Sequence, residues 1–123
     1  VGPWYVLADY LLVSGESIVR NFQEGLRVAG GLGRAMRVCY VADPFGHPAQ
    51  MPQLVRGFGY STYVFARGVG DEGEELGSEF QWEAPSGDRV IASRTARLTP
   101  AGGQPMRAAA PGTATESASF TAK

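Results

Sequence analysis

The sequence predicts a layered or barrel-like α/β fold, and three observations carry that prediction. Strand and helix patterns alternate through residues 4–66 in the order strand, helix, strand, helix, strand, with connections long enough for parallel pairing. Each predicted strand delivers a polar residue at its carboxyl end: Asp9, Asp43 and Arg67. In sheets with helical crossovers, that edge is where ligands and chemistry sit. Beyond Arg97 the composition turns to Ala, Gly, Pro, Ser and Thr. The domain is therefore expected over residues 1–97, with a low-complexity tail over 98–123 that has too little apolar area to offset the entropy of ordering.

The first strand is expected at residues 4–7, where Trp4-Tyr5-Val6-Leu7 lies between Gly2-Pro3 and Asp9. A helix should follow. Ser14 can cap its orphan amides and Glu16 faces the positive end of its dipole. Ile18, Phe22, Leu26 and Ala29 recur at helical spacing as its apolar face, and Gly30, Gly31 and Gly33 end it. Residues 36–41 form the central strand, which Pro44 stops because it has no amide hydrogen to donate. Pro52 suits the first turn of a short helix, closed by Gly57 or Gly59. Residues 61–66 supply the third strand and lead into Arg67-Gly68-Val69-Gly70. Residues 71–75 read as an acidic surface loop. Residues 79–83 and 88–92 read as a hairpin turning at Ser86-Gly87.

Bulk properties exclude several functions. A net charge of -1 argues against a dedicated nucleic-acid or membrane-surface binder, and no apolar run is long enough to span a bilayer. One cysteine allows neither an internal disulfide nor a cysteine zinc cage, and Cys39 sits in an apolar run as a packed thiol. The chain starts at Val1 without a leader pattern, which predicts an internal piece of a longer protein, with cytoplasm as the expected location.

Asp43-Pro44-Phe45-Gly46-His47 is the stretch with most chemical content, and its residues alone allow three readings. Asp43 could cap the turn, with His47 structural. Carboxylate and imidazole could contribute to a metal site, although one histidine is too few to close it. Asp43 could also act as a base or nucleophile, held ionised by Arg67. The run Gly30-Gly31-Leu32-Gly33 follows a helix and so lacks the strand-to-helix context of a phosphate loop. Trp4 and Trp82 are expected in the core.

Trp4-Tyr5-Val6-x-x-Asp9, Leu12-Val13-Ser14-Gly15-Glu16-Ser17-Ile18-Val19-Arg20-Asn21, Asp43-Pro44-Phe45-Gly46-His47-x-x-Gln50-x-Pro52-Gln53, Arg56-Gly57-Phe58-Gly59 and Arg67-Gly68-Val69-Gly70 occur in that order. Together, over residues 1–92, they resemble the catalytic domain of the family 38 glycoside hydrolases, the retaining α-mannosidases, in their bacterial branch. The resemblance implies part of a (β/α)7 barrel and a zinc-dependent glycosidase acting on α-mannosides, either glycans or mannosylated small solutes. It implies that Asp43 is the nucleophile, forming a covalent glycosyl-enzyme that water hydrolyses with retention, and that Asp43 is also a zinc ligand. Arg67 would keep that carboxylate anionic and oriented, and His47 would support the turn. Ala8-Asp9-Tyr10 departs from the family's Pro-Asp-Glu, which leaves Asp9 a possible support only. The family's other zinc ligands and its acid/base aspartate fall outside this stretch, so the chain is expected to be an inactive fragment that exposes apolar surface. The rival expectations are a truncated or frameshifted product and a carbohydrate-binding module without activity. No oligomeric state is implied.

Overall fold

A computed structural model of the chain describes residues 1–70, 76–95 and 120–121. The elements are helix α1 (Gly15–Gly31), strand β1 (Cys39–Val41), helix α2 (Met51–Gly57), and strands β2 (Thr62–Phe65), β3 (Glu79–Glu83), β4 (Arg89–Arg94) and β5 (Phe120–Thr121). The strands form one sheet in the order β1-β2-β4-β3-β5. β1, β2 and β4 run parallel, and β3 is antiparallel to both β4 and β5.

Both helices form where the sequence places them, α1 by its cap and apolar spacing and α2 by Pro52 in its first turn. Ser14 Oγ accepts from the Ser17 amide at 3.2 Å and opens α1. Ile18, Phe22 and Ala29 are buried and Leu26 is partly so. The spacing did not single out Gly25, which is buried as well. A Cβ there would run into the backbone of residues 3–5, lying 2.5 Å from Tyr5 N. α2 carries Pro52 in its first turn, where the missing amide hydrogen breaks no helical bond.

The expected strand at residues 4–7 does not form. That segment spends its backbone hydrogen bonds on α1 instead: Tyr5 N donates to Asn21 O at 3.2 Å, and Val6 N to Asn21 Oδ1 at 2.9 Å. Asn21 Nδ2 donates in return to Val6 O at 2.8 Å. One amide side chain thus satisfies both backbone groups of Val6 as a neighbouring strand would. Trp4 and Tyr10 are buried, whereas Tyr5, Val6 and Leu7 lie in the open.

The expectation of a partial barrel is met only in part. β1, α2 and β2 make one parallel unit with a helical crossover, as predicted. After β2, however, the chain makes a hairpin, and β4 slots beside β2 with β3 outside it. The hairpin closes through Gly87 N to Ala84 O at 2.8 Å and Ala84 N to Asp88 O at 2.9 Å. Among the described residues the result is an open mixed sheet of five strands, three of them parallel, which does not close on itself. β5 lies within the stretch expected to be a disordered tail and pairs with β3, so that expectation does not hold for residues 120–121. The rest of 98–123 and the acidic loop at 71–75 lie outside the described residues.

Period-two alternation sets the core. Cys39, Val41, Tyr63, Phe65, Val90, Ala92, Phe80 and Trp82 share one buried face. Trp4, Tyr10, Phe22, Met51 and Val55 join them in one cluster. On the opposite face Tyr40 and Ile91 are exposed. No described helix is long and apolar enough to cross a membrane.

Candidate active site

Parallel pairing brings the first two candidate residues together. Val41 of β1 is registered with Phe65 of β2. Two residues further along both chains, the same register sets Asp43 beside Arg67. Arg67 Nε forms an ion pair with Asp43 Oδ1. The aspartate side chain is 69% exposed and the arginine 35%, so the pair sits at a surface that a ligand can reach. In such a setting an ion pair adds only ~0–1 kcal/mol to stability. Its effect is to orient the carboxylate.

Two further residues of the Asp43-Pro44-Phe45-Gly46-His47 loop also hold Arg67. The guanidinium lies over the Phe45 ring, with Cζ 4.4 Å from the centroid. His47 Nε2 is 3.0 Å from the Arg67 carbonyl oxygen, and His47 Nδ1 is 3.1 Å from Tyr63 Oη. Chemistry decides the protons here. A carbonyl only accepts, so Nε2 carries the hydrogen and donates, and Nδ1 accepts from the Tyr63 hydroxyl. Burial pushes the imidazole down to about 4, with the bond to Arg67 O pulling weakly the other way. His47 is therefore neutral at neutral pH. Burial also holds the Tyr63 phenol protonated, as a donor must be. The imidazole packs edge-on against Tyr63, Phe65 and Trp82, with centroids 5.5, 4.6 and 5.7 Å away.

The glycines of the two motifs make room for this contact. Gly68 has φ +98°, and a Cβ on it would lie 2.8 Å from His47 Nε2 and 3.2 Å from Gly46 N. Gly46 in turn leaves space for Leu11, whose Cδ1 would be 2.5 Å from an added Cβ. The turn containing Asp9 therefore lies against the loop, but its carboxylate is used locally: Asp9 Oδ1 accepts from Leu11 N at 3.2 Å, and Asp9 O from Leu12 N at 3.1 Å. With no strand before it, Asp9 does not share the strand-end position of Asp43 and Arg67.

Tyr63 and Phe45 were not among the sequence candidates. The signal for both is spacing. Tyr63, Phe65 and Arg67 alternate along one face of β2 and its extension, and Asp43, Phe45 and His47 do the same along the loop.

The described residues do not by themselves complete the zinc site that the resemblance implies, for which further ligands are expected outside this chain. Asp43 offers one carboxylate, and both nitrogens of His47 are committed to protein partners. Among the described residues no group of three or more His, Cys, Asp or Glu side chains could hold a metal ion. Burial raises the Cys39 thiol well above its ordinary range, which keeps it protonated and inert. A cleft of about 550 Å³ lined by Arg34, Arg37, Phe58, Tyr60 and Ser61 opens at the amino-terminal ends of β1 and β2, the end of the sheet opposite Asp43.

Comparison with known proteins agrees with the motifs. The model of the glycosyl hydrolases family 38 N-terminal domain matches residues 1–119. The chain is 37% identical to a Halalkalibacterium halodurans protein named "Putative mannosylglycerate hydrolase", in an alignment covering 74% of this chain and 11% of that protein. It is 30% identical to mouse alpha-mannosidase 2C1, covering 74% of this chain and 9% of that one. The crystal structure of an alpha-mannosidase from Enterococcus faecalis V583 superposes with a TM-score of 0.68 at 32% identity, over 76% of this chain and 11% of the other. The chain thus spans about a tenth of the length of the relatives it matches. Ordered motifs, a parallel unit carrying Asp43 and Arg67 at its carboxyl edge, and a family match over nearly the whole length lead to one assignment: the chain belongs to the glycosyl hydrolases family 38, as a segment of the N-terminal domain.

Proposed function

We propose that this segment carries the nucleophile of an α-mannoside hydrolase that retains configuration, and that Asp43 is that nucleophile. The observation that supports this most is the exposed Asp43 carboxylate at a strand end, oriented by Arg67. A nucleophilic carboxylate must be ionised, fixed in direction and open to a substrate. Arg67 fixes the direction of that carboxylate through their ion pair, and Phe45 supports Arg67 from below. In the reaction Asp43 attacks the anomeric carbon as the aglycone departs, and water then cleaves the resulting ester. The names of the relatives favour a mannosylated substrate, one of them a mannosylated small solute; a glycan is the other class that the motif resemblance implies. Zinc and the acid/base group would come from residues beyond those described, so the 123 residues alone are expected not to turn over an aryl α-mannoside.

The test uses a polypeptide of full family length that contains this segment. An activated 2-fluoro-mannoside should trap a covalent adduct, and peptide mass mapping should find it on the peptide carrying Asp43. Asp43→Ala should lower turnover by ~10³-fold or more. An adduct on another carboxylate, or near-normal turnover of the variant, would overturn the assignment. Saturable mannose binding without turnover in that polypeptide would favour a binding module instead.

A further inference from the structure

The loop that carries Asp43 touches one residue at three points. Asp43 meets the Nε of Arg67, Phe45 lies under its guanidinium, and His47 donates to its carbonyl. The three contacts come from alternate loop residues and hold Arg67 at its head, its face and its backbone. His47 is itself fixed from β2 by the Tyr63 hydroxyl. Gly68 leaves the imidazole its space.

We infer that His47 is a positioning residue which, locked by Tyr63, clamps the Arg67 backbone to the loop and so holds the guanidinium against the Asp43 carboxylate. The bond from Nε2 to the Arg67 carbonyl fixes the peptide between Arg67 and Gly68, and with it the direction of the Arg67 Cα–Cβ bond. The remaining freedom of the side chain is removed by Phe45 and Asp43. Tyr63 gives the clamp its polarity. By donating to Nδ1 it leaves Nε2 as the protonated nitrogen, the one arrangement in which the imidazole can donate to a carbonyl. Nδ1 can accept from Tyr63 only while the ring is neutral, which its buried, aromatic surroundings favour. This inference deepens the proposed nucleophile role of Asp43, but its geometry can be tested without any turnover.

The experiment is ¹⁵N NMR near pH 6 on the 123-residue chain carrying Leu12→Lys, at a concentration where sedimentation velocity shows monomer, following the imidazole nitrogens and the Arg67 Nε–H. The parent should show the Nε2–H tautomer and a protected Arg67 Nε–H. His47→Gln keeps a side-chain N–H at the position of Nε2 and should retain that protection. His47→Leu fills similar space without a donor and should speed Arg67 Nε–H exchange by at least ~10-fold. Tyr63→Phe, which removes one hydroxyl, should fall between them, and it decides the matter if His47→Leu does not fold. The Nδ1–H tautomer in the parent, unchanged Arg67 exchange in the Leu and Phe variants, or equal loss in the Gln and Leu variants would overturn the clamp. None of these readouts depends on mannoside hydrolysis, so the clamp can fail while the nucleophile assignment stands, and the reverse.

Discussion

His47 ties the stability of the fold to pH. In the unfolded chain the imidazole titrates near its ordinary value of 6.5, whereas burial brings it to about 4 in the fold. Between those values the unfolded state binds more protons, so stability rises with pH across that window. The full contribution is present above pH 6.5 and is lost as pH falls toward 4. One pKa unit corresponds to about 1.4 kcal/mol, so the swing is at most about 3 kcal/mol. Urea denaturation at pH 4.5 and pH 7 should show the difference narrowing in His47→Gln. Arg67→Ala should act on catalysis more than on stability. As a partly exposed pair with Asp43 it should cost about 1 kcal/mol or less in the same assay, while in an active polypeptide it should impair catalysis far more than its stability cost suggests. At this scale the placing of Asp43 and Arg67 just past two strands was legible in the sequence, because β-propensity followed by Pro44 or Gly68 marks where each strand stops. Tyr63 was not, because a buried tyrosine in a strand reads as core until the partner of its hydroxyl is known.

At the level of elements, α1 was legible because its cap and its apolar spacing agree. Its critical position was not. Gly25 interrupts a helix, and replacing Gly by Ala in a helix interior ordinarily stabilises by about 1 kcal/mol. Here the added Cβ would meet the backbone that crosses from Trp4 to Tyr5. Backbone yields less readily than a flexible side chain, and overpacking costs ~1–3 kcal/mol or more, so the clash outweighs the gain in propensity. Gly25→Ala should therefore lower the melting temperature, while Ser14→Ala should cost about 1 kcal/mol through its lost cap. A Gly25→Ala variant that melts higher would mean that the crossing segment is held more loosely than described. The 4–7 segment shows the same limit. Aromatic and β-branched residues suggest a strand there, but the amide of Asn21, fifteen residues along from Val6, takes the bonds that a strand would use.

Across the molecule as a whole, apolar surface is exposed among the described residues. Leu12 is 83% exposed, and Tyr5, Val6, Leu7, Leu11 and Phe45 are all more than half exposed. Clusters of this kind mark surfaces that associate, and among the described residues the sheet ends at β1 and β5 with no further strand beside either. The 123-residue chain should therefore self-associate as concentration rises, measured by sedimentation velocity. Leu12→Lys should shift that equilibrium toward monomer, because a charge on an exposed patch opposes contact without disturbing the core.

The sequence by itself determined the α/β alternation, the helix caps, the hairpin, and the placing of Asp43 and Arg67 at strand ends. All of these follow from local rules of period, capping and backbone chemistry. Only the tertiary structure decided that β4 lies beside β2, that residues 4–7 serve α1 and not the sheet, and that one loop grips Arg67 at three points. Those outcomes depend on which distant groups compete for the same hydrogen bonds and the same space, and residue order does not state that competition.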